Sequence, residues 1–269
     1  MLILYDEDYF VKSRIAERKA VMPEITIPKV IHYCWFGQGK MPKLAVHCLK
    51  SWQKYCPEYT IKEWNESNFD VSQFAYTKEA YEAKKYAFVT DVVRLYALYH
   101  EGGIYMDTDV EVLKPFDDLL HEHAFSGFET PESIPTGIMA SEKENGWVRD
   151  QLQVYDGLHF LKSDGLPNQT TNVRYITDLS LAKHGLKLNG KKQTLLYGMT
   201  LFPKEYFCPK DFFSGKIELS ENTYTIHHFN GSWRSLDRKS KDMLIRKMKR
   251  IMGEDGYQHM KKFLHVGLK

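Results

Sequence analysis

The chain has 269 residues, 43% apolar and 27% charged, a composition that can bury an ordinary core and excludes a mini-domain or a disordered chain. A net charge of +2 excludes a uniformly basic nucleic-acid binder. Four cysteines without a Cys-x-x-Cys pair suggest neither a zinc site nor a disulfide framework, and they fit a reducing compartment.

The first 22 residues form an amphipathic lead-in with helical spacing over 9–21. They carry no basic start, and their apolar run is too short for a signal peptide. Residues 27–37, Ile-Pro-Lys-Val-Ile-His-Tyr-Cys-Trp-Phe-Gly, read as a buried strand entering a glycine turn. Pro28 stands at its start, where the missing N–H does no harm. Residues 42–55 read as a helix with Leu44, Cys48, Leu49 and Trp52 on one face, and 59–64 as the next strand. Strand, helix and strand in this order predict a βαβ unit and a parallel sheet.

The apolar spacing predicts a long helix over 78–100, stopped by Gly102-Gly103. A short strand at 104–107 then ends in acidic residues, and 109–113 alternates as a strand continuation. Further strands are predicted at 124–128, 137–140, 194–202 and 223–229, with helices at 147–160 and 171–183. From Arg234 onward there are eleven Lys/Arg and four Asp/Glu, which leaves the remainder of the chain at −5. Leu244, Ile245, Met248, Ile251 and Met252 fall at helical spacing in that basic tail. Such a face is solvated or docks on an anionic membrane surface. No apolar run approaches the roughly 20 residues a membrane span needs. Repeats and separating linkers are absent. The expected organisation is a catalytic domain over 1–235 and a basic amphipathic helical extension over 236–269.

The chemistry concentrates at Asp107-Thr108-Asp109. In extended chain, residues i and i+2 point to one side, so both carboxylates can address one hard cation together with substrate phosphates. An acidic pair at the carboxyl end of a sheet strand is also where α/β proteins bind ligands. Alone, the three residues equally describe a solvated acidic turn. Asp91 and Arg94 lie one turn apart on an otherwise apolar helix face. They form either a simple i,i+3 ion pair or a carboxylate for sugar hydroxyls beside a guanidinium for phosphate.

The whole run from Phe88 to Asp109 resembles the signature of glycosyltransferase family 32, the DXD-containing sugar-binding group. That group includes bacterial capsular-polysaccharide glycosyltransferases and yeast initiating mannosyltransferases, with the catalytic domains of large clostridial toxins as more distant relatives. Residues 27–37 resemble the family's opening strand, and residues 226–233, Ile-His-His-Phe-Asn-Gly-Ser-Trp, its His-His-x-x-x-Ser-Trp segment. The likeness spans roughly residues 25–115 and 222–235.

The resemblance implies a GT-A type α/β fold, with a mostly parallel Rossmann-like sheet flanked by helices. It implies that Tyr33 and Trp35 pack on a nucleotide base, although Trp35 as plain core stays open. It also implies that Asp91, Arg94, Tyr105 and Asp107 contact the donor, with Ser232 and the Trp233 indole donating to its diphosphate. Asp91, Arg94, Asp107 and Trp233 are the candidate catalytic residues. Asp107, Asp109 and His228 are the expected ligands for Mn²⁺ or Mg²⁺; an imidazole beside carboxylates suits Mn²⁺ best. The choice of His228 rests on its distance from Gly231 in related enzymes, and His227 would face the other way.

The implied activity is retaining transfer of a hexose from a nucleotide diphosphate sugar, UDP-galactose or UDP-glucose, to a glycan, lipid-linked or protein-linked acceptor. A bacterial cytoplasmic enzyme of surface polysaccharide or glycoprotein synthesis is expected, with peripheral membrane contact through the tail. A nucleotide-sugar hydrolase or weakly active binding module on the same fold is the alternative. A two-metal phosphohydrolase would leave Trp35 and Ser232-Trp233 unexplained. The weakly matched stretch 120–220 should hold the acceptor site, with Glu129, Glu142, Asn168, Gln169 and Thr170 as polar candidates.

Overall fold

The computed structural model describes residues 26–168, 170–212, 214–231, 248, 251–253 and 256. The helix expected over 9–21, Gln169, Ser232, Trp233 and most of the basic extension lie outside the described residues.

Val30–Cys34 (β1), Lys43–Tyr55 (α1) and Thr60–Trp64 (β2) make the expected βαβ unit, with β1 and β2 parallel and Tyr33 opposite Glu63. The helix expected over 78–100 is two helices, Ala75–Glu82 (α2) and Tyr86–Glu101 (α3). The break falls at Lys84, whose φ of 56° cannot continue a right-handed helix. Gly102 ends α3 with a φ of 69° and donates its N–H to the Leu98 carbonyl at 3.0 Å.

Gly103–Met106 (β3) follows at once and runs parallel to β1. Gly103 has a φ of 102°, and a Cβ there would stand 2.6 Å from the Val30 carbonyl oxygen. Only glycine allows α3 to turn this sharply back into the sheet. Then come Val110–Val112 (β4), Ala124–Gly127 (β5), Ile138–Ser141 (β6), Gly146–Gln153 (α4) and Asn172–Lys183 (α5). Gln193–Thr194 (β7) and Met199–Phe202 (β8) replace the single strand expected over 194–202. Tyr197 and Gly198, at φ 63° and 69°, fold that segment back on itself. Lys204–Phe207 (α6) and Thr225–His227 (β9) complete the described elements.

The main sheet has seven strands in the order β2-β1-β3-β6-β5-β8-β7. It is mixed, which corrects the mostly parallel expectation: β6 runs antiparallel to β3 and β5, and β7 antiparallel to β8. A parallel neighbour needs a crossover of a dozen or more residues. The link from β5 to β6 contains no helix, so the chain returns antiparallel. The strand expected over 109–113 does not extend the main sheet either. As β4 it pairs, among the described residues, with β9, with Val110 opposite His227.

Helices cover both faces, and strand alternation sorts the side chains between two cores. Ile31, Tyr33, Ile104 and Met106 pack with Cys48 and Trp52 of α1. Cys34, Trp64 and Tyr105 pack with Val92, Val93 and Leu95 of α3. This places the Tyr105 ring on the side from which α3 presents Arg94. Among the described residues no helix is long and apolar enough to cross a membrane.

Candidate active site

Asp107 leaves the carboxyl end of β3 and donates its N–H to the Gly137 carbonyl at 2.8 Å. The Val110 N–H returns to the Asp107 carbonyl at 3.0 Å. Asp107-Thr108-Asp109 is therefore a turn, not the extended run that alternation implies. Its carboxylates converge nonetheless. One ligand atom each from Asp107, Asp109 and His227 lie within 4.8 Å of one another.

Asp109 binds the late segment of the chain to this turn. Its Oδ1 lies 3.3 Å from His227 Nε2, its Oδ2 accepts the Asn230 N–H at 2.7 Å, and its carbonyl accepts the His228 N–H at 2.9 Å. Burial works against the Asp109 carboxylate, but His227 and the backbone N–H groups outweigh it and lower the pKa to about 2. Burial likewise opposes a charged His227, and Asp109 outweighs it, raising the imidazole well above its ordinary value. Two carboxylates and an imidazole suit a divalent ion of Mn²⁺ type. His227 Nδ1 is buried with no hydrogen-bond partner. Gly137 makes room for the ring, since a Cβ there would stand 2.8 Å from His227 Cε1.

His228, the histidine expected to join the aspartates, does not join them in this structure. Its Nε2 lies 2.8 Å from Glu111 Oε2, while Glu111 Oε1 lies 3.1 Å from His47 Nε2. The register of β9 on β4 accounts for this. His227 faces Val110 at the mouth of the acidic turn, and the next residue turns to the opposite side.

Arg94 is 4% exposed and reaches between two carboxylates, 3.2 Å from Asp91 and 3.2 Å from Asp107. It also donates to the Thr136 carbonyl at 2.5 Å and the Thr90 carbonyl at 3.1 Å, and lies 4.8 Å from the centre of the Tyr105 ring. The helical ion pair is thus real, and a second link joins it to the acidic turn. The Tyr105 hydroxyl donates to Asp107 Oδ1 at 2.8 Å.

Tyr33 is buried edge-on against Trp52, with ring centres 5.8 Å apart, and donates its hydroxyl to Glu63. Trp35 is half-buried and donates its indole N–H to the Gly39 carbonyl at 2.7 Å. His32, on the same strand, is structural: Nδ1 accepts from the Trp64 indole and Nε2 meets the Gly102 carbonyl. Asn172, which sequence reading places only within the helix over 171–183, donates to Asp91 Oδ1 at 3.3 Å.

Burial raises the Asp91 pKa to about 7, against the opposing pull of Arg94. The folded chain then holds a proton that the unfolded chain, with an aspartate pKa of about 3.9, releases. The sign follows from linkage: stability falls as pH rises from about 4 to about 7 and is level above that. Asp91→Asn removes this dependence. Relative to the parent, the variant should gain about 2 kcal/mol between pH 5 and pH 8, read by melting temperature at both values. A stability difference that stays constant across that range would show that burial does not dominate the Asp91 carboxyl.

Residues 42–126 match the family model described as a glycosyltransferase sugar-binding region containing a DXD motif. The match holds Asp91, Arg94, Asp107 and Asp109, but not Trp35 or His227. Over 136 residues the chain is 31% identical to inositol phosphoceramide mannosyltransferase 3 of Schizosaccharomyces pombe, covering 49% of this chain and 37% of that protein. Over 83 residues it is 35% identical to glucan organizing enzyme 1 of Cryptococcus neoformans, covering 27% and 23%. The chain thus spans well under half the length of these relatives. Among solved structures it is similar to the PaToxG glycosyltransferase, with a TM-score of 0.47, 17% identity, and coverage of 65% of this chain and 76% of that one.

Proposed function

We propose that the chain, whose residues 42–126 match the glycosyltransferase sugar-binding region containing a DXD motif, transfers a hexose from a nucleoside diphosphate sugar to a glycan or glycoconjugate acceptor with retention. The observation that carries this reading is the convergence of Asp107, Asp109 and His227, with Arg94 joining Asp107 to Asp91. UDP-glucose and UDP-galactose are the donors to test first.

Asp107, Asp109 and His227 would hold a divalent ion, which when bound offsets the charge that develops on the leaving diphosphate. Arg94 holds Asp107 in place across 3.2 Å. Asp91, beside Arg94, would accept from donor-sugar hydroxyls, with the Asn172 amide on its carboxyl. The half-buried Trp35 would stack on the base. The glycosyl–phosphate C–O bond breaks, the acceptor oxygen bonds to the anomeric carbon from the same side, and its proton passes to the departing phosphate oxygen. No nucleophilic carboxylate is required.

The test follows Mn²⁺ binding by titration, and sugar release with and without an acceptor mixture. Turnover should depend on the divalent ion and cease in EDTA. His227→Ala should weaken Mn²⁺ by about 10–100-fold, whereas His228→Ala should leave it within a few-fold. The opposite ranking would assign the imidazole ligand to His228, and full turnover in EDTA would end the reading altogether.

A further inference from the structure

Behind Asp91 lies a group of polar atoms that donor binding leaves unexplained. The hydroxyls of Tyr76 and Tyr155 and the Asn172 Oδ1 are buried without hydrogen-bond partners. The Tyr76 and Tyr155 rings are 5.1 Å apart, and Tyr155 and Tyr175 6.0 Å. Tyr175 accepts a hydrogen bond from Asn168 at 2.9 Å. Asn168, in turn, lines a surface cavity of about 390 Å³ together with Lys162, Thr170, Thr171 and Arg174. Polar side chains therefore lie between this cavity and the carboxylate expected to face the donor sugar. Asn168, Thr170 and Thr171 line the cavity, and the next residue, Asn172, touches Asp91.

The lining has a definite chemistry. It combines two cations, two hydroxyls and an amide, and no carboxylate is among the described residues that line it. Asp178 lies 3.2 Å from Arg174 Nε and orients the guanidinium. Lys162 stands on a tight turn closed by its own N–H to the Leu166 carbonyl at 2.9 Å. A neutral sugar would leave the Lys162 ammonium without a counter-charge; a phosphate ester would meet it and share the Arg174 guanidinium with Asp178.

We propose that this cavity is the acceptor subsite and that it holds a phosphate group carried by the acceptor, on a soluble sugar phosphate or a lipid headgroup. This rests on the donor reading above, which puts the sugar at Asp91. A titration of the full chain in EDTA, which keeps the metal-dependent donor site out of the measurement, tests it. The probes are glucose 6-phosphate against glucose, and phosphatidylinositol-containing vesicles against phosphatidylcholine vesicles. At least one phosphate-bearing probe should bind the parent chain and Asp109→Ala alike, and bind Lys162→Ala/Arg174→Ala about tenfold or more weakly. Binding of the sugar phosphate marks a soluble acceptor, and binding of the vesicles a lipid-borne one. Equal binding by the double variant, equal binding of the neutral probes, or no binding of either phosphate source overturns the proposal. Failure of Mn²⁺-dependent UDP-sugar binding would instead sink the donor reading and leave this titration untouched.

Discussion

Asp109→Ala should fold and lose transfer by about three orders of magnitude, roughly 4 kcal/mol of transition-state stabilisation, together with measurable Mn²⁺ affinity. The expectation is this large because one carboxylate does two jobs. It contributes an oxygen to the three-residue set, and it holds the segment that delivers His227 through the Asn230 N–H and the imidazole itself. Alanine removes the ligand and the anchor together. Asp109→Asn separates them, since the amide keeps an acceptor for Asn230 but no charge for an ion. Metal binding by titration and turnover of labelled UDP-hexose are the readouts. If Asp109→Asn kept near-parental turnover with Mn²⁺, the carboxylate would be an anchor only, and the proposed metal site would have to be given up.

Arg94→Ala should cost about 3 kcal/mol of stability, because it removes the guanidinium from between the largely buried Asp91 and the part-buried Asp107. Asp91 and Asp107 each stand 3.2 Å from the guanidinium, whose remaining donors meet the Thr90 and Thr136 carbonyls. Four acceptors each lose one donor at once, while Tyr105 still serves Asp107 and Asn172 still serves Asp91. For a chain of this size the melting temperature should fall by about 10 °C. Arg94→Lys restores the charge but not the planar fork, so it should recover only part of the loss. A fall of under about 1 kcal/mol for Arg94→Ala would mean that water already serves these carboxylates, as it does at surface ion pairs.

Much of this was legible in the sequence, and the rest for definite reasons was not. The β1-α1-β2 unit follows from alternation in residues 27–37 and the Leu44/Cys48/Trp52 face. The acidic turn and the Asp91–Arg94 pair are local motifs, visible at any fold. The bond from Arg94 to Asp107 is not local: it needs β3 packed under α3 with Tyr105 on the α3 side. The two adjacent histidines carry no register of their own. Which of them faces the aspartates is decided by the pairing of β9 with β4, made by residues more than a hundred positions apart. The antiparallel β6 could have been read from chain length, because the short link between β5 and β6 has no room for a crossover helix.

That pairing has a further consequence. The strand that carries His227 pairs with β4 over three register positions and lies outside the seven-stranded sheet, and the Thr225 hydroxyl also ties it to the Phe207 carbonyl at 2.9 Å. Hydrogen exchange distinguishes segments that open by themselves from those that open only when everything unfolds. This ribbon belongs to the second kind: Val110, Val112 and Thr225 are fully buried, and the Trp52 indole donates to the Val110 carbonyl at 2.7 Å. The binding competence of the site is then tied to global unfolding. A ligand bridging Asp107, Asp109 and His227 would stabilise the whole fold by mass action.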